Sequence, residues 1–409
     1  MKCRHCGAGL SLPFIDLGSA PPSNAYLTSE TLHAPEKWFP LRVLVCERCW
    51  LVQTEDFAQA QELFNAEYAY FSGFSKSWLA HAEHYVAEMV ARFHLTADSH
   101  VVEVAANDGY LLQYVKARGI PCMGIEPTAS TAAAARALGI PIVEEFFGAD
   151  LARKLVAQGK QAHLIAANNV LAHVPDINDF VAGFTMLLTP DGVATFEFPH
   201  LLQLVKQKQF DTIYHEHFSY LSLTAVHRVF SANGLSVFDV QEHPTHGGSL
   251  RVFAQRADRL IHPTSESVAR LLAVEEAAGM KTPGFYQGLQ KAAEHIKDDL
   301  VAFLIEIKRA GKTVAGYGAA AKGNTLLNFA GVRPDLVSYV VDRNPAKQGK
   351  YMPGSRIPIV DEARLYRHRS DYVLILPWNL QAEVMQQLDS IRTWGGQFAI
   401  AVPELRIYS

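Results

Sequence analysis

The spacing of apolar residues changes along the chain, and the changes mark three regions. Up to about residue 70 they fall in short extended pieces broken by Pro13, Pro21, Pro22, Pro35 and Pro40, with little helical period. A small module without a large core of its own is expected there. From 75 to 95, Leu79, Val86, Met89, Val90 and Phe93 recur at helical spacing. Strand and helix patterns then alternate, with strands at 101–105, 122–126, 163–167 and 193–198 and helices at 110–118, 129–138 and 177–188. Such alternation predicts a parallel doubly wound sheet. Residues 264–310 are helical throughout, and a second alternation starts at Thr313, with strands near 338–341, 372–376 and 398–402. The fold class is therefore α/β. It comprises an N-terminal module over 1–70, a central Rossmann-like domain over 71–260 and a second Rossmann-like α/β domain over 261–409. The helical segment between the last two is a stiff connection that lets them face a shared cleft.

Length and composition agree with several globular domains. The 409 residues exceed one ordinary core, 49% are hydrophobic and 19% charged, and no tract is of low complexity. A net charge of −4 offers no basic surface for a nucleic-acid backbone, so a small ligand and no nucleic-acid partner are expected. No apolar run reaches the roughly 18 residues of a membrane span, and Met1-Lys2-Cys3 opens on a cysteine motif instead of a signal peptide. A cytoplasmic protein, monomeric or weakly self-associating and without a membrane partner, is expected. In that compartment the five cysteines are ligands or free thiols.

Cys3-Arg-His-Cys6 and Cys46-Glu-Arg-Cys49 are two C-x-x-C turns separated by 39 residues. Each turn can present two sulfurs to one ion, and four thiolates close a tetrahedral zinc site with no open position. A structural zinc ion is expected, which makes the N-terminal unit a zinc-binding module. Cys122, alone in a predicted strand, is expected to be a small core residue.

Glu103-Val-Ala105-Ala-Asn107-Asp108-Gly109 sits between the first strand and first helix of the central domain, where an α/β sheet forms its ligand crevice. A small residue at 105 lets the backbone approach a ligand, and Gly109 permits a sharp turn. Glu103 can face an ammonium group, and Glu126, 18 residues beyond Asp108, can accept two ribose hydroxyls. Asn168 and Asn169 end the next strand at the same edge, and Glu144 with Phe147 follows another. The loop has too few glycines for a dinucleotide fingerprint, so S-adenosylmethionine is the expected cofactor. In the C-terminal domain Gly316-Tyr-Gly318-Ala-Ala-Ala-Lys322-Gly-Asn324 follows a strand and opens a helix, a turn suited to phosphate. Asp342-Arg343 ends the strand after it, as a ribose- or base-binding element would.

The densest chemistry is Tyr214-His215-Glu216-His217-Phe-Ser-Tyr220, which puts imidazoles, a carboxylate and phenols into one loop. His173 leaves another strand at the same edge, and His246-Gly-Gly-Ser-Leu-Arg251 adds a flexible turn with a cation for the substrate. If the block is extended, His215 and His217 project to one side about 7 Å apart and Glu216 points away.

Together these segments resemble the zinc-containing S-adenosylmethionine-dependent sugar C-3 methyltransferases, the deoxysugar C-methyltransferases of the tetronitrose type. The likeness is nearly full length. It rests on the paired C-x-x-C motifs, EVAANDGYLL, NNVLAHVPD, YHEHFSYLS, HGGSLRVF, GYGAAAKGNTLLN and VVDRNPAKQGKYMPGSRIPI, in the family's order. The resemblance implies that the middle domain holds S-adenosylmethionine and the C-terminal domain a keto sugar linked to dTDP or GDP. It also implies that His217 is the base, with Tyr214, Glu216, His173 and Tyr68 around the sugar. The competing readings are a nicotinamide-dependent oxidoreductase or epimerase of nucleotide sugars, using the Gly-x-Gly turn, and a zinc-knuckle RNA-modifying protein, which needs basic and aromatic patches that are not evident here.

Overall fold

Three sheets carry the chain in this computed structural model, which describes residues 1–57, 63 and 71–409. β1 (Leu12–Ala20), β2 (Phe39–Val45) and β3 (Val52–Thr54) form an antiparallel N-terminal sheet. The central sheet holds β4 (Val101–Val104), β5 (Cys122–Ile125), β6 (Ile142–Val143), β7 (Ala162–Asn168) and β8 (Leu188–Pro199), all parallel. β9 (Ser219–Tyr220) leaves that domain and adds a fourth strand to the N-terminal sheet, pairing with β3. β10 (Leu235–His243) and β11 (Ser249–Arg256) complete the central sheet in the order β10-β11-β8-β7-β4-β5-β6.

The sheet is thus mixed, not wholly parallel as its βα alternation predicts. β11 runs antiparallel to both neighbours, because a connection as short as 244–248 can only join antiparallel strands. Strand order reverses between β4 and β7, so the loops after these strands diverge and leave a crevice at their C-terminal ends.

The C-terminal sheet runs in the order β14-β13-β12-β15-β16-β17. Its strands are β12 (Val314–Tyr317), β13 (Val340–Val341), β14 (Ile359–Val360), β15 (Tyr372–Ile375), β16 (Gln397–Ile400) and β17 (Arg406–Tyr408), with only β17 antiparallel. β14 and β17 are too short for a pattern of apolar spacing to reveal. The helical connection is two helices, Glu266–Ala277 and Leu289–Arg309. The second buries Leu289, Ala293, Ile296, Leu300, Phe303, Leu304 and Ile307, a stripe at three- and four-residue spacing that faces one way. That stripe shares a core with Phe14, Leu41 and Val43 on one side and Val314 and Leu374 on the other. The helix therefore fastens the N-terminal sheet to the C-terminal one. No helix among the described residues is long and apolar enough to cross a membrane.

Candidate active site

The N-terminal sheet is tied by four thiols whose sulfurs all lie within 4.8 Å of one another, with Cys3–Cys49 and Cys6–Cys46 each at 3.5 Å. Each pair sits on a tight turn, closed by Gly7 N–H to the Cys3 carbonyl at 2.9 Å and Trp50 N–H to the Cys46 carbonyl at 2.7 Å. Zinc–sulfur bonds of about 2.3 Å put tetrahedral sulfurs roughly 3.8 Å apart, so the cluster fits a closed structural zinc site. Gln53 carries its influence onward. The amide donates to Cys3 Sγ at 3.3 Å and accepts from Arg4 N–H at 2.9 Å. The adjacent Thr54 donates its hydroxyl to the His217 carbonyl and its N–H to that of Phe218 at 3.2 Å. Cys122 lies in β5, outside the cluster.

The loop after β4 bends through left-handed backbone at Ala105 (φ 60°), Asn107 (49°) and Gly109 (80°). A Cβ at Gly109 would stand 2.6 Å from Ile140 Cδ1, so only glycine fits. Asn169 and His246 are also left-handed, and these turns hold four of the nine described non-glycine residues in that region. Backbone strain is therefore collected at one sheet edge, as at binding crevices.

Glu103 is fully buried; burial pushes its carboxyl well above the usual range, against the hydrogen bond from Tyr110. Glu126 takes Asn107 N–H and Thr128 N–H, both at 2.9 Å, one on each oxygen. The carboxylate expected at the ribose is thus tied to the loop after β4 through Asn107. The Asn107 and Asp108 side chains accept Ser72 N–H at 2.9 Å and Gly73 N–H at 2.8 Å. Asn168 is buried at the end of β7, while Asn169 donates to His246 Nε2 at 3.1 Å. Glu144 stands apart, paired on the surface with Arg136 at 2.8 Å.

Trp78 completes this edge, though nothing distinguishes it in the sequence from the core face of an amphipathic helix. Its ring stacks on His81 (4.9 Å between centroids) and Tyr110 (5.8 Å) and tilts against His246 (5.1 Å). Arg251 corrects an expectation. It is 1% exposed, held by Glu197 at 2.7 Å and Glu88 at 3.4 Å, and acts as a strut under the edge instead of a cation open to substrate. Burial alone would raise Glu197, yet His81 and Arg251 hold its carboxyl down to about 2.

The YHEH block is not extended. His217 N–H bonds the Tyr214 carbonyl at 2.9 Å, closing a turn, so the two imidazoles diverge. His215 Nε2 faces the carbonyls of Phe39 (3.3 Å) and Pro40 (3.2 Å) in the N-terminal module and not the cluster where it was expected to meet substrate. His217 points the other way. Its Nδ1 donates to the Thr212 carbonyl at 2.9 Å and its Nε2 accepts the Tyr214 hydroxyl at 2.7 Å. His173, 4.7 Å away between ring centroids, donates from Nδ1 to the Glu216 carbonyl at 2.7 Å. A carbonyl only accepts, so both imidazoles carry their proton on Nδ1 and keep Nε2 basic.

Tyr220 stands edge-on to His217 at 5.9 Å. Glu216 Oε1 takes the backbone N–H (3.2 Å) and amide (3.1 Å) of Asn24, while its buried Oε2 has no hydrogen-bond partner. Asn24 escaped sequence reasoning because it lies about 190 residues away in another module. Tyr68 falls outside the described residues.

The C-terminal turn lies against the same cluster. Gly318 has φ +87° and a Cβ there would stand 2.6 Å from Pro377 Cδ. Gly316, inside β12, lets Val340 approach to 3.0 Å from where its Cβ would be. Asp342 takes Ala319 N–H at 2.7 Å and Asn344 N–H at 2.8 Å, so it closes the turn and does not stand open to a ribose. Arg343 is exposed beside Gln387 and Glu362, off the cluster where it was expected. Asn324 is fully buried with both ends of its amide unpartnered. Thr325 donates to the Ile213 carbonyl at 2.8 Å, and Trp378 Nε1 to Asp211 Oδ2 at 2.8 Å.

Burial holds His173 and His246 down to about 4 and holds His217 well below the usual imidazole range. These rings are neutral in the native state, whereas unfolded histidine gains its proton near about 6.5. Folding stability should therefore fall as pH drops from about 6.5 toward 4, and the acid limb of kcat/KM should lie well below 6.5. A pH–rate profile whose acid limb falls at an ordinary imidazole value would remove His217 and His173 from the rate-determining ionisations.

Residues 3–64 match the family model described as "Putative zinc binding domain", 78–240 "Methyltransferase domain" and 244–403 "C-methyltransferase C-terminal domain". Over 408 residues the chain is 35% identical to the C-methyltransferase NovU of Streptomyces niveus, covering 100% of this chain and 97% of that protein. Among solved structures it is similar to magnesium protoporphyrin IX methyltransferase (ChlM) from Synechocystis PCC 6803 with bound SAM, at 15% identity and a TM-score of 0.34, over 44% of this chain and 79% of that one. An S-adenosylmethionine-dependent methyltransferase from Clostridium acetobutylicum ATCC 824 gives 9% identity and a TM-score of 0.36, over 44% and 92%.

Proposed function

The chain belongs to the S-adenosylmethionine-dependent C-methyltransferases that carry an N-terminal zinc-binding domain, and from that premise we propose that the carbon it methylates is C-3 of a nucleotide-linked 4-keto deoxysugar. The observation that carries the reading is the pair of buried neutral imidazoles with Nδ1 tied to backbone carbonyls and Nε2 left basic. A carbon must lose a proton before it can take a methyl group, and a hydrogen beside a ketone is acidic enough for an imidazole to remove.

The cofactor supplies an electrophilic methyl group when bound in the crevice lined by Glu103, Ala105, Asn107, Asp108, Gly109, Glu126, Asn168 and Asn169. His217 takes the C-3 proton onto Nε2, the C–H electron pair moves into the ring and the ketone oxygen becomes an enolate oxygen. The Tyr214 hydroxyl, 2.7 Å from Nε2, is released to donate to that oxygen or to His217's neighbour His173. Glu216, with Oε1 saturated by Asn24 and Oε2 unpartnered, accepts a sugar hydroxyl. The zinc site has no open position for a reacting group and serves the fold, through Gln53 and the adjacent Thr54, which holds the backbone of His217.

The helix Ala321–Phe329 begins without a side-chain cap, so its first-turn N–H groups suit the diphosphate of the nucleotide, dTDP- or GDP-linked. The test is incubation with a 4-keto nucleotide sugar in deuterated water, followed by methyl transfer. Deuterium should enter C-3 before any methyl group arrives. Methylation at oxygen, or at carbon without exchange, would sink the enolate reading.

A further inference from the structure

We propose that Lys322, carried by the C-terminal module, is a catalytic residue of this reaction: its ammonium binds the C-4 oxygen of the keto sugar and holds the charge of the enolate. The inference rests on the keto-sugar reading above.

The geometry points away from the diphosphate, the ligand usually expected of a lysine in a glycine-rich turn. Lys322 lies three residues before Thr325 on one helix, so the two share a face, and Thr325 bonds the Ile213 carbonyl at 2.8 Å. Ile213 stands between Thr212, whose carbonyl orients His217, and Tyr214, whose hydroxyl covers it. The Lys322 helix thus abuts the segment that carries the Tyr214–His217 pair, and the lysine's charge reaches the rings of His217 and His246.

Its ammonium donates to Asn379 Oδ1 at 2.7 Å and lies 4.5 Å from the Trp378 ring centroid. A Cβ at Gly247 would stand 2.5 Å from the Trp378 ring, so the indole also abuts the turn that carries His246. An amide oxygen and an indole face position an ammonium without cancelling its charge. Among the described residues no carboxylate comes within ion-pair distance of Lys322. Asp211, whose charge reaches Lys322 without an ion pair, gives Oδ2 to Trp378, and burial pushes its carboxyl up to about 6 against the pull of that lysine. A half-buried cation with at least one N–H uncommitted, beside two neutral imidazoles, is an arrangement suited to an anion that appears during the reaction. The weakness of the base supports the same need: burial and neighbouring charges hold His217 well below the ordinary range, so much of the driving force must come from stabilising the enolate.

Lys322→Met is compared with the unaltered protein for exchange of the C-3 hydrogen at saturating 4-keto nucleotide sugar without cofactor, and by calorimetry with the nucleoside diphosphate and S-adenosylhomocysteine. Exchange should slow roughly 10²–10³-fold, the loss typical of an oxyanion donor, while both affinities change little. Lys322→Arg, which keeps the charge but moves it, should recover part of the exchange, and it carries the test if the Met variant fails to hold S-adenosylhomocysteine. Collapse of diphosphate affinity with exchange retained at saturation would return Lys322 to the phosphates, and unchanged exchange would remove it from both roles. Absence of exchange in the unaltered protein would instead overturn the keto-sugar reading, and this inference with it.

Discussion

Replacing His217 by alanine or asparagine should lower kcat by about 10²–10⁴-fold, the usual cost of losing a general base, with little change in the binding of either ligand. The expectation follows from how the imidazole is held. Thr212 fixes the tautomer through Nδ1, Tyr214 meets Nε2, and no bond from the ring reaches the expected cofactor loop. The substitution removes an interaction made only as the proton leaves carbon, so the loss should appear in kcat and in C-3 exchange, not in KM. His215→Ala should behave differently, because that ring bonds the Phe39 and Pro40 carbonyls; its cost should fall on stability. Should His217→Ala keep exchange and methylation while His173→Ala loses both, the proton goes to His173, the other imidazole with Nε2 left basic.

The second large effect concerns the thiols. Purified protein should carry one tightly bound zinc ion, and Cys46→Ser should unfold or greatly destabilise the N-terminal module. Apparent binding free energies of structural zinc are on the order of 10 kcal/mol, comparable to the whole stability of a domain. The N-terminal sheet is small, and its last two strands pair over few residues, Val52–Tyr220 and Gln53–Ser219. Thermal unfolding followed by metal analysis measures the effect. Because Thr54 holds the backbone of His217 and Phe218, activity should disappear with the module even though the site is closed to substrate. Fresh protein without zinc, or a Cys46→Ser variant that melts like the unaltered chain, would end this account.

Part of this was legible in the sequence because it depends on local order. The C-x-x-C turns, the alternation of strand and helix and the chemistry crowded into residues 214–220 are all fixed within a few residues of chain, where period and spacing operate. The position of the loop after β4 was legible for the same reason: Glu103 lies within β4, and Gly109 and Glu126 follow strands whose apolar runs announce them. The antiparallel β11, by contrast, was hidden behind a turn that looked merely flexible, and β14 is two residues long, below the reach of any period.

What only the tertiary structure decided is which way side chains face and which distant segments meet them. Arg251 and Asp342 are polar residues at expected places, yet each is spent on an interior partner, because a buried charge or carboxylate takes the nearest compensating group. His215 and His217 share a tetrapeptide but part company through a turn that sequence period does not record. Asn24, Trp78 and the helix of Lys322 come from three different modules to Glu216, His246 and Ile213 respectively. Their meeting depends on long-range packing, above all on the helix Leu289–Arg309 that joins the N-terminal and C-terminal sheets in one core. Local propensity carries no information about such contacts, since they exist only once the three sheets have closed on one another.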